Sequence, residues 1–295
     1  MRILVTGSNG FVGKYLFEQL SKEGKDVWGI DRESSSSKTI AINIMNETSL
    51  NGVLHRLHPD FVIHLAGIAN VDHSDNSLIY DINFRGTQNL LNACIKQKRI
   101  PRLIYISSSQ VYGNVPLEHL PIDESFPLDP VNHYGASKSA GELITKTYGY
   151  EYGIEWVILR PFNHTGPGQT DKFVIPKIVN AFKRNEKTLE LGNIHTFRDF
   201  TDVRDVVKAY SHVLDHFNNG SIYNIASGHG ITVADIVEKL ISISGKFMNV
   251  SIKEFLSRKN EIQSVIGNAQ RIKDDIGWKP LLGFDDTLRA MLEVY

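Results

Sequence analysis

The chain has 295 residues, of which 41% are hydrophobic and 22% are charged, and its formal net charge is −1. This composition is typical of a water-soluble globular protein that is long enough for one large domain or two smaller ones. The near-zero net charge argues against nucleic acid or an anionic membrane as a partner. In addition, no apolar run approaches the roughly 20 residues that a membrane-spanning helix needs.

The first elements of the chain alternate between short apolar strands and amphipathic helices. The run RILVT (2–6) is rich in β-branched residues and ends in glycines, which predicts a buried strand and not a signal peptide. The only cysteine, Cys94, lies in a helical pattern as a small core residue, and a single cysteine fits a reducing, cytoplasmic location. The other predicted elements here are a helix up to Gly24, a strand at 26–30, a helix over Leu50 to Leu57, a strand at 61–67 and a helix at 78–97.

The same alternation continues with a strand at 102–107, a helix at 133–153 and a strand at 155–163. Because strands that alternate with helices pair in parallel, we expect an α/β fold with a Rossmann-type doubly wound parallel sheet. This domain covers residues 1–162, with a contribution from about 199–227. Beyond it the rhythm loosens, which predicts a smaller, partly interleaved C-terminal α/β domain over 163–295.

Three glycines stand between the first strand and the first helix, in the pattern TGSNGFVG. Gly7 allows the tight turn, Gly10 lets the backbone approach a pyrophosphate, and Gly13 lets the helix pack closely on the strand. The N-terminus of the helix then faces the anion. A purely structural turn is the alternative, but this spacing between a strand and a helix favours a dinucleotide site.

Asp31 and Arg32 follow the second strand and bear on which dinucleotide is bound. A carboxylate at this position can accept hydrogen bonds from the adenosine ribose hydroxyls and repels a 2′-phosphate, which favours NAD. Arg32 could instead pair with such a phosphate, or it could be a solvated loop residue. We therefore predict NAD or NADP as the cofactor, with Asp31 favouring NAD.

The segment YGASK places Tyr134 and Lys138 four residues apart, on one face of a predicted helix. A free tyrosine has a pKa of about 10, and a nearby ammonium group lowers that pKa because it stabilises the phenolate. Such a pair can exchange a proton with a hydroxyl or a carbonyl while a nicotinamide carries the hydride. Of the eleven tyrosines, only Tyr134 is followed four residues later by a lysine.

Together these motifs resemble the extended short-chain dehydrogenase/reductases that act on nucleotide sugars. The resemblance extends over nearly the whole chain, and the segments RPFNHTGPGQ, LGN…RDFTDVRD and RKNEIQSVIGN are most similar to the GDP-4-keto-6-deoxymannose reductases. It implies a nucleotide-sugar substrate and a reaction in which NAD(P)H reduces C4 of a 4-keto-6-deoxyhexose. The remaining matching segments are GxxGxxG at the N-terminus, SSSQVYG (107–113), YGASK (134–138), RDFTDVRDVVKAY (198–210) and GNAQRIKDDIGWKP (267–280).

The resemblance also implies which residues bind the cofactor. Asn43 stands where the family usually has an aspartate against the adenine, so this contact departs from the family pattern. The full predicted set is Gly7, Gly10, Phe11, Val12, Gly13, Asp31, Arg32, Asn43, Ile44, Leu65, Ala66, Gly67, Asn83, Ser107, Tyr134, Lys138 and Pro161.

The resemblance implies a second set of residues that contact the sugar nucleotide. Arg198 and Arg258 would hold its diphosphate, since a guanidinium fork fits phosphate oxygens; a surface ion pair is the alternative for either arginine. The predicted substrate residues are Ser108, Ser109, Gln110, Tyr134, Asn163, Arg198 and Arg258.

Ser108 is the working hydroxyl that the resemblance implies, and it forms the predicted catalytic group together with Tyr134 and Lys138. In the related 4,6-dehydratases that hydroxyl is followed by acidic residues, whereas Ser109 and Gln110 follow here. An amide neither donates nor removes a catalytic proton, so a dehydratase is disfavoured. A 4-ketoreductase is the first prediction and a 4-epimerase the alternative, with a non-catalytic cofactor sensor as the hypothesis from another class.

Three further expectations concern assembly, metals and acidic residues. By resemblance, the helix that carries Tyr134 and its neighbour over Ile79 to Lys98 pack against a second copy in a homodimer. The histidines are scattered without metal-ligand spacing, so we predict no metal site. We expect Asp199, Asp202 and Asp205 to act as helix caps and ion-pair partners.

Overall fold

The computed structural model of the chain describes residues 1–34, 36–69, 75–253 and 262–293. Contacts between residues divide the chain into two units, each of which is assembled from separate stretches of sequence. The first unit comprises Met1–Gly113, Glu124–Pro161 and Val207–Asn224, and the second comprises Asn114–Asp123, Phe162–Val206 and Ile225–Tyr295.

A seven-stranded sheet forms the centre of the first unit, in the order β3-β2-β1-β4-β5-β6-β10. The pairs β1–β2, β1–β4, β2–β3, β4–β5 and β5–β6 are parallel. The amide nitrogens of Ile158 and Phe162 donate to the carbonyls of Ser221 and Ile225, which shows that β10 also runs parallel to β6. The predicted Rossmann-type doubly wound sheet is thus confirmed. Its strands are β1 (Arg2–Thr6), β2 (Asp26–Asp31), β3 (Thr39–Ala41), β4 (Phe61–His64), β5 (Arg102–Ile106), β6 (Trp156–Pro161) and β10 (Ile222–Ile225).

Helices cover the sheet with apolar faces that the sequence spacing predicts. Helix α2 begins after Asn46, whose side chain accepts a hydrogen bond from the Ser49 backbone, and it buries Leu50, Val53, Leu54 and Leu57. Cys94 lies in the same core, where burial raises the pKa of its thiol to about 12. The helices are α1 (Phe11–Lys22), α2 (Glu47–Leu57), α3 (Asn76–Tyr80), α4 (Gly86–Ile95), α5 (His133–Tyr152) and α7 (Val203–Asp215).

The helix predicted over 78–97 is interrupted. A π-helical turn, Asp81–Arg85, separates α3 from α4. It carries the buried Asn83, whose side chain hydrogen-bonds the backbone of Ile68 in the loop after β4. Apolar periodicity does not distinguish a single π-helical turn from the α-helix around it, so the sequence pattern did not predict the interruption.

The second unit contains a four-stranded sheet in which β9 pairs with β7, β11 and β13, and a two-stranded sheet of β8 and β12. Its core includes Phe182, Leu189, Ile236, Leu240 and Leu288. Its strands are β7 (Asn163–Thr165), β8 (Thr188–Leu191), β9 (Phe197–Asp202), β11 (Gly230–Thr232), β12 (Asn249–Ile252) and β13 (Ser264–Val265), and its other helices are α6 (Val174–Lys183), α8 (Val233–Ser244), α9 (Gln270–Ile276) and α10 (Phe284–Glu293).

Three buried aspartates of the second unit hold its loops and helices together. Asp199 accepts hydrogen bonds from Ser227 and from the backbone of Gly228 and Gly267. Asp202 forms the expected ion pair with Arg204. Asp205 accepts from the backbone at 281 and 282, so it joins two segments of this unit.

Candidate active site

The strand order of the first unit reverses between β1 and β4, and ligands of such sheets bind beyond the carboxyl ends of the strands at this point. The glycine turn, Gly7 to Gly13, follows β1. A Cβ on Gly7, whose φ is +72°, would lie 2.9 Å from the Cα of Ala66 in the loop after β4. A Cβ on Gly13 would lie 2.2 Å from the Gly7 carbonyl oxygen. Side chains at these positions would therefore force the turn open.

The glycine turn fits a dinucleotide pyrophosphate. Gly10 is the N-cap of α1 and has no side chain with which to occupy the backbone N–H groups of the first turn. Lys14 is the only charged residue in that turn, which therefore carries no carboxylate to repel an anion. The buried hydroxyl of Ser8 has no hydrogen-bond partner among the described residues. The helix N-terminus could thus accept a phosphate, and the binding of the cofactor by the segment that includes Phe11 and Val12 stays a prediction.

Asp31 lies beside this turn at the end of β2. Its carboxylate accepts hydrogen bonds from the backbone nitrogens of Asn9 at 2.9 Å and Arg32 at 2.7 Å, while the Arg32 side chain is exposed. Asn43 accepts from the Met45 backbone at 3.0 Å, so part of its hydrogen-bonding capacity is used in a local turn. Ile44 is buried and faces Gly86 at the start of α4.

A buried histidine to which the sequence analysis assigned no role, His64, links the ends of β1 and β4. The two loops that follow these strands are called the switch-point loops below. His64 Nδ1 lies 2.7 Å from Thr6 Oγ1, and its Nε2 lies 2.9 Å from Thr87 Oγ1. The Thr87 hydroxyl donates to the Asn83 carbonyl, so it accepts a hydrogen bond from His64 Nε2. His64 Nδ1 is then the acceptor of the neutral ring, and the Thr6 hydroxyl donates to it. Thr6 Oγ1 also accepts from the Ala66 nitrogen. Burial lowers the pKa of His64 to about 3, which keeps this ring neutral.

Asn83 connects the loop after β4 with α5. Its Oδ1 accepts from the Ile68 nitrogen at 2.7 Å, and its Nδ2 donates to Ser137 Oγ at 2.9 Å. Ser137 donates to the Tyr134 carbonyl at 2.7 Å. A Cβ on Gly67 would lie 2.9 Å from Asn83 Oδ1 and 3.6 Å from Lys138 Nζ, which places the loop after β4 directly beside Lys138.

The predicted catalytic residues Ser108, Tyr134 and Lys138 are all buried in the first unit. Ser108 follows β5 and is hydrogen-bonded to the Tyr134 hydroxyl, while its own oxygen accepts from the Gln110 nitrogen at 3.2 Å. Lys138 Nζ donates to the Ile106 carbonyl at 2.7 Å. The structure therefore brings together a hydroxyl, a phenol and an amine beside Gly67 in the loop after β4.

Burial acts on both ionisable members of this group. It raises the pKa of Tyr134, and the hydrogen bond with Ser108 opposes that rise, so the direction is the reverse of the one that the sequence spacing predicts. Burial lowers the pKa of Lys138 to about 8, against the attraction of the Glu142 carboxylate. The Lys138 ammonium group therefore loses its proton at about pH 8, whereas the Tyr134 phenol stays protonated at that pH.

The serine segment, Ser107 to Tyr112, carries the remaining predicted residues of this loop. Ser107 donates to Glu142 Oε1 at 2.5 Å. Gln110 Oε1 accepts from Asn132 Nδ2 at 3.0 Å, and Asn132 caps α5 by accepting from the Gly135 nitrogen. Gln110 therefore binds the start of the helix that carries Tyr134. Ser109 and Pro161, the latter at the end of β6, are also buried.

The predicted substrate residues outside the first unit are placed as follows. Asn163 opens β7 in the second unit. Arg198 lies on β9, where its Nη1 donates to the Phe197 carbonyl at 2.9 Å. Arg258 lies outside the described residues. The role of these three residues in holding a substrate stays a prediction.

The residues of the described ranges contain neither a cluster of three metal-ligating side chains nor a membrane-spanning helix. Among those residues, no three His, Cys, Asp or Glu side chains are grouped so that they could hold a metal ion. Of the helices in the same ranges, none combines the length and apolar character that crossing a membrane requires.

The chain belongs to the NAD dependent epimerase/dehydratase family, whose model matches residues 3–226. It is an NAD(P)-dependent oxidoreductase of the extended short-chain dehydrogenase/reductase type, as its motifs predict. This class agrees with the glycine turn at the switch point and with the buried Ser108, Tyr134 and Lys138.

Two proteins and one solved structure are similar to this chain over nearly its whole length. GDP-6-deoxy-D-mannose reductase from Pseudomonas aeruginosa is 35% identical, over 99% of this chain and 96% of its own length. GDP-6-deoxy-D-talose 4-dehydrogenase from Aggregatibacter actinomycetemcomitans is 33% identical, over 94% of this chain and 92% of its own. The solved structure of RMD from Pseudomonas aeruginosa complexed with NADPH superimposes with a TM-score of 0.89 at 35% identity, over 99% of this chain and 97% of that one.

Proposed function

We propose that this protein is a nucleotide-sugar 4-ketoreductase, which reduces the C4 carbonyl of a nucleoside-diphosphate 4-keto-6-deoxyhexose to the alcohol. The observation that carries the proposal is the burial of Ser108, Tyr134 and Lys138 in one cluster beside the loop that contains Gly67. The similarity to GDP-6-deoxy-D-mannose reductase supports the same reaction and favours GDP as the nucleotide.

The three side chains divide the work at the C4 oxygen. Tyr134 donates the proton to that oxygen, since burial keeps its phenol protonated. Ser108 donates a hydrogen bond to the same oxygen and steadies it as negative charge develops. Lys138, in its protonated form, stabilises the phenolate that Tyr134 leaves behind. NAD(P)H, when bound along the glycine turn, supplies the hydride to C4.

The serine segment supports reduction over dehydration. A 4,6-dehydratase needs an acid and a base after the serine, whereas Gln110 offers an amide that is already hydrogen-bonded to Asn132. A 4-epimerase with tightly held NAD, which would use the same Ser108, Tyr134 and Lys138, stays the alternative. A protein that only senses the cofactor would have no need of this buried trio.

The finer features of the proposal concern the cofactor and the sugar nucleotide. Asp31 favours NAD, while RMD binds NADPH, so both cofactors belong in the test. The second unit is proposed to bind the nucleotide sugar, with Asn163 at the sugar and Arg198 and Arg258 at the diphosphate. The product would be an activated 6-deoxysugar for a surface polysaccharide.

A homodimer and a cytoplasmic location complete the proposal. Leu143 is 57% exposed and Tyr150 is 84% exposed, and they lie seven residues apart on one face of α5. A second copy of the chain packed on α4 and α5 would cover this face. The buried free thiol of Cys94 fits a reducing compartment.

The proposal is tested by following the nicotinamide absorbance. The protein is mixed with GDP-4-keto-6-deoxymannose or dTDP-4-keto-6-deoxyglucose, each with NADH and with NADPH. We expect stoichiometric oxidation with one of the sugars, its loss in Tyr134→Phe, and its retention in the control Tyr152→Phe, which lies exposed at the end of α5. If neither sugar is reduced, the 4-ketoreductase proposal is wrong, and tightly bound NAD with epimerisation of an intact hexose becomes the leading hypothesis.

A further inference from the structure

A buried ion pair lies behind the serine segment. Arg160 Nε and Nη2 donate to the two oxygens of Glu142 at 2.9 and 2.7 Å, and the two side chains are 3% and 0% exposed. Removing both charges from water costs several kcal/mol per ion, so well-packed apolar residues would often stabilise a fold as well or better. Stability alone is thus a weak reason for this pair.

The pair contacts both ends of the serine segment. At one end, Ser107 donates to Glu142 Oε1 at 2.5 Å. At the other end, Arg160 Nη1 donates to the Tyr112 hydroxyl at 2.9 Å. Ser108 lies between these two anchors, directly after Ser107. The conformation of the segment that presents its hydroxyl is therefore set by one carboxylate and one guanidinium.

Further hydrogen bonds fix the far side of the pair. The Tyr112 hydroxyl donates to Asn224 Oδ1 at 2.7 Å, and the Asn224 nitrogen donates to Glu124 Oε1 at 2.7 Å. Arg160 Nη1 also reaches the Glu124 carbonyl at 3.5 Å. Because its members are joined in this way, the network leaves the Arg160 guanidinium little freedom to move.

Glu142 also lies on the same face of α5 as the predicted catalytic residues Tyr134 and Lys138. It lies one helical turn beyond Lys138 on α5, and Lys138 lies one turn beyond Tyr134, so the three share a helix face. The helix that carries the proton donor thus carries the anchor of the segment that holds Ser108. A shift of either element relative to the other would pull Ser107 off Glu142.

We propose that Glu142 and Arg160 are positioning residues, which hold the serine segment against α5 so that the Ser108 hydroxyl stays within hydrogen-bond distance of the Tyr134 hydroxyl. Neither residue touches the reacting atoms; both act through Ser107 and Tyr112. The catalytic consequence rests on the proposed function, whereas the geometric part, the contact between Ser108 and Tyr134, can be measured without any substrate.

The most selective variant is Ser107→Ala. It removes the hydrogen bond from Ser107 to the Glu142 carboxylate and leaves the ion pair of Glu142 with Arg160 intact. Ser139→Ala is the matched control, because Ser139 is a buried serine on α5 whose hydroxyl has no partner among the described residues. Ser108→Ala defines the state without the hydrogen bond. The first readout is the NMR chemical shift of the Tyr134 Cζ in ¹³C-tyrosine-labelled protein, assigned with Tyr134→Phe.

We expect Ser107→Ala to move the Tyr134 Cζ signal towards its position in Ser108→Ala, and Ser139→Ala to leave it in place. Tyr112→Phe, which frees the other end of the segment, should move it in the same direction. Where the wild type reduces a sugar, kcat of Ser107→Ala should fall roughly tenfold to a hundredfold, because a displacement of about 1 Å costs this much.

The opposite pattern would overturn the proposal. If Ser107→Ala and Tyr112→Phe lower the melting temperature but leave both the Tyr134 signal and kcat at the wild-type values, the network is merely structural. A wild-type protein that reduces no sugar would sink the proposed function, yet the NMR comparison would still decide whether the pair positions Ser108.

Discussion

The glycine turn after β1 and the serine segment after β5 follow strands of the same parallel sheet, but they are built in opposite ways. The glycine turn takes its shape from missing side chains, since a Cβ on Gly13 would lie 2.2 Å from the Gly7 carbonyl oxygen. The serine segment takes its shape from buried charged side chains, Glu142 and Arg160, that come from α5 and β6. The glycine turn depends on free space around its backbone, whereas the serine segment depends on charged partners that lie far away in the sequence.

The largest expected effect is on the glycine turn. Gly13→Ala pushes a methyl group into backbone and should weaken NAD(P)H binding at least about a hundredfold, because several backbone donors lose their alignment. The control is Gly52→Ala in α2, where a Cβ meets nothing within 4 Å and should add up to about 1 kcal/mol of stability. Fluorescence titration of NAD(P)H measures both variants. Equal affinities in the two would remove the distinction between a shaped turn and an ordinary glycine.

The serine segment should respond to loss of charge. Glu142→Gln leaves the Arg160 guanidinium buried without its counter-ion and should lower the free energy of unfolding by about 3–5 kcal/mol. Glu47→Gln, at the half-exposed pair with Lys96, should cost less than about 1 kcal/mol. Urea unfolding of each variant gives the comparison. A loss in Glu142→Gln no larger than that in Glu47→Gln would contradict the account of the buried pair.

Lys138 provides a test in which loss of function increases stability. Burial lowers its pKa from 10.5 to about 8, so the unfolded chain binds the additional proton between these pH values. Lys138→Met should therefore stabilise the fold by about 3 kcal/mol at pH 7, and this gain should vanish as the pH approaches 10.5. In the wild type, kcat for reduction should fall as the pH rises through about 8, where Lys138 loses its proton. Urea unfolding and a pH–rate profile check both; a variant less stable than the wild type at pH 7 would refute the first part.

The smallest effect is expected at the link between the two switch-point loops. His64 has its pKa lowered from 6.5 to about 3, so the unfolded chain takes up a proton first as the pH falls below 6.5. This should cost the wild type about 2 kcal/mol between pH 6.5 and pH 5, a loss that His64→Gln should not show. Thermal unfolding over this pH range distinguishes them. Parallel pH dependences for the two proteins would mean that His64 is not held neutral.

The contrast between the two loops also explains how far the sequence could be interpreted. The strands, the glycine turn and the Tyr134–Lys138 spacing follow from local periodicity and residue type, and the structure contains them. The hydrogen bonds of Asn83 and the role of His64 depend on partners that are distant in sequence. Glu142 and Arg160 looked like ordinary members of a helix and a strand, since nothing local signals that they face each other.

The predicted direction of the Tyr134 pKa shift was wrong because it, too, depends on residues that are distant in the sequence. Spacing places Lys138 four residues away, but it does not show that the lysine donates to the Ile106 carbonyl or that burial dominates at the phenol. Desolvation depends on the whole packed unit and is invisible in a motif.

The most direct test of the central claim is the fate of deuterium placed at the transferable position of the reduced nicotinamide. Wild-type protein is incubated with the deuterated cofactor and with the 4-keto sugar that supports oxidation of the cofactor. The sugar is then examined by NMR. We predict a released 6-deoxysugar that carries deuterium at C4, formed in stoichiometric amounts with oxidised cofactor, and no such product from Tyr134→Phe. A sugar without deuterium at C4, with the reduced cofactor unchanged, would contradict a 4-ketoreductase built on Ser108, Tyr134 and Lys138.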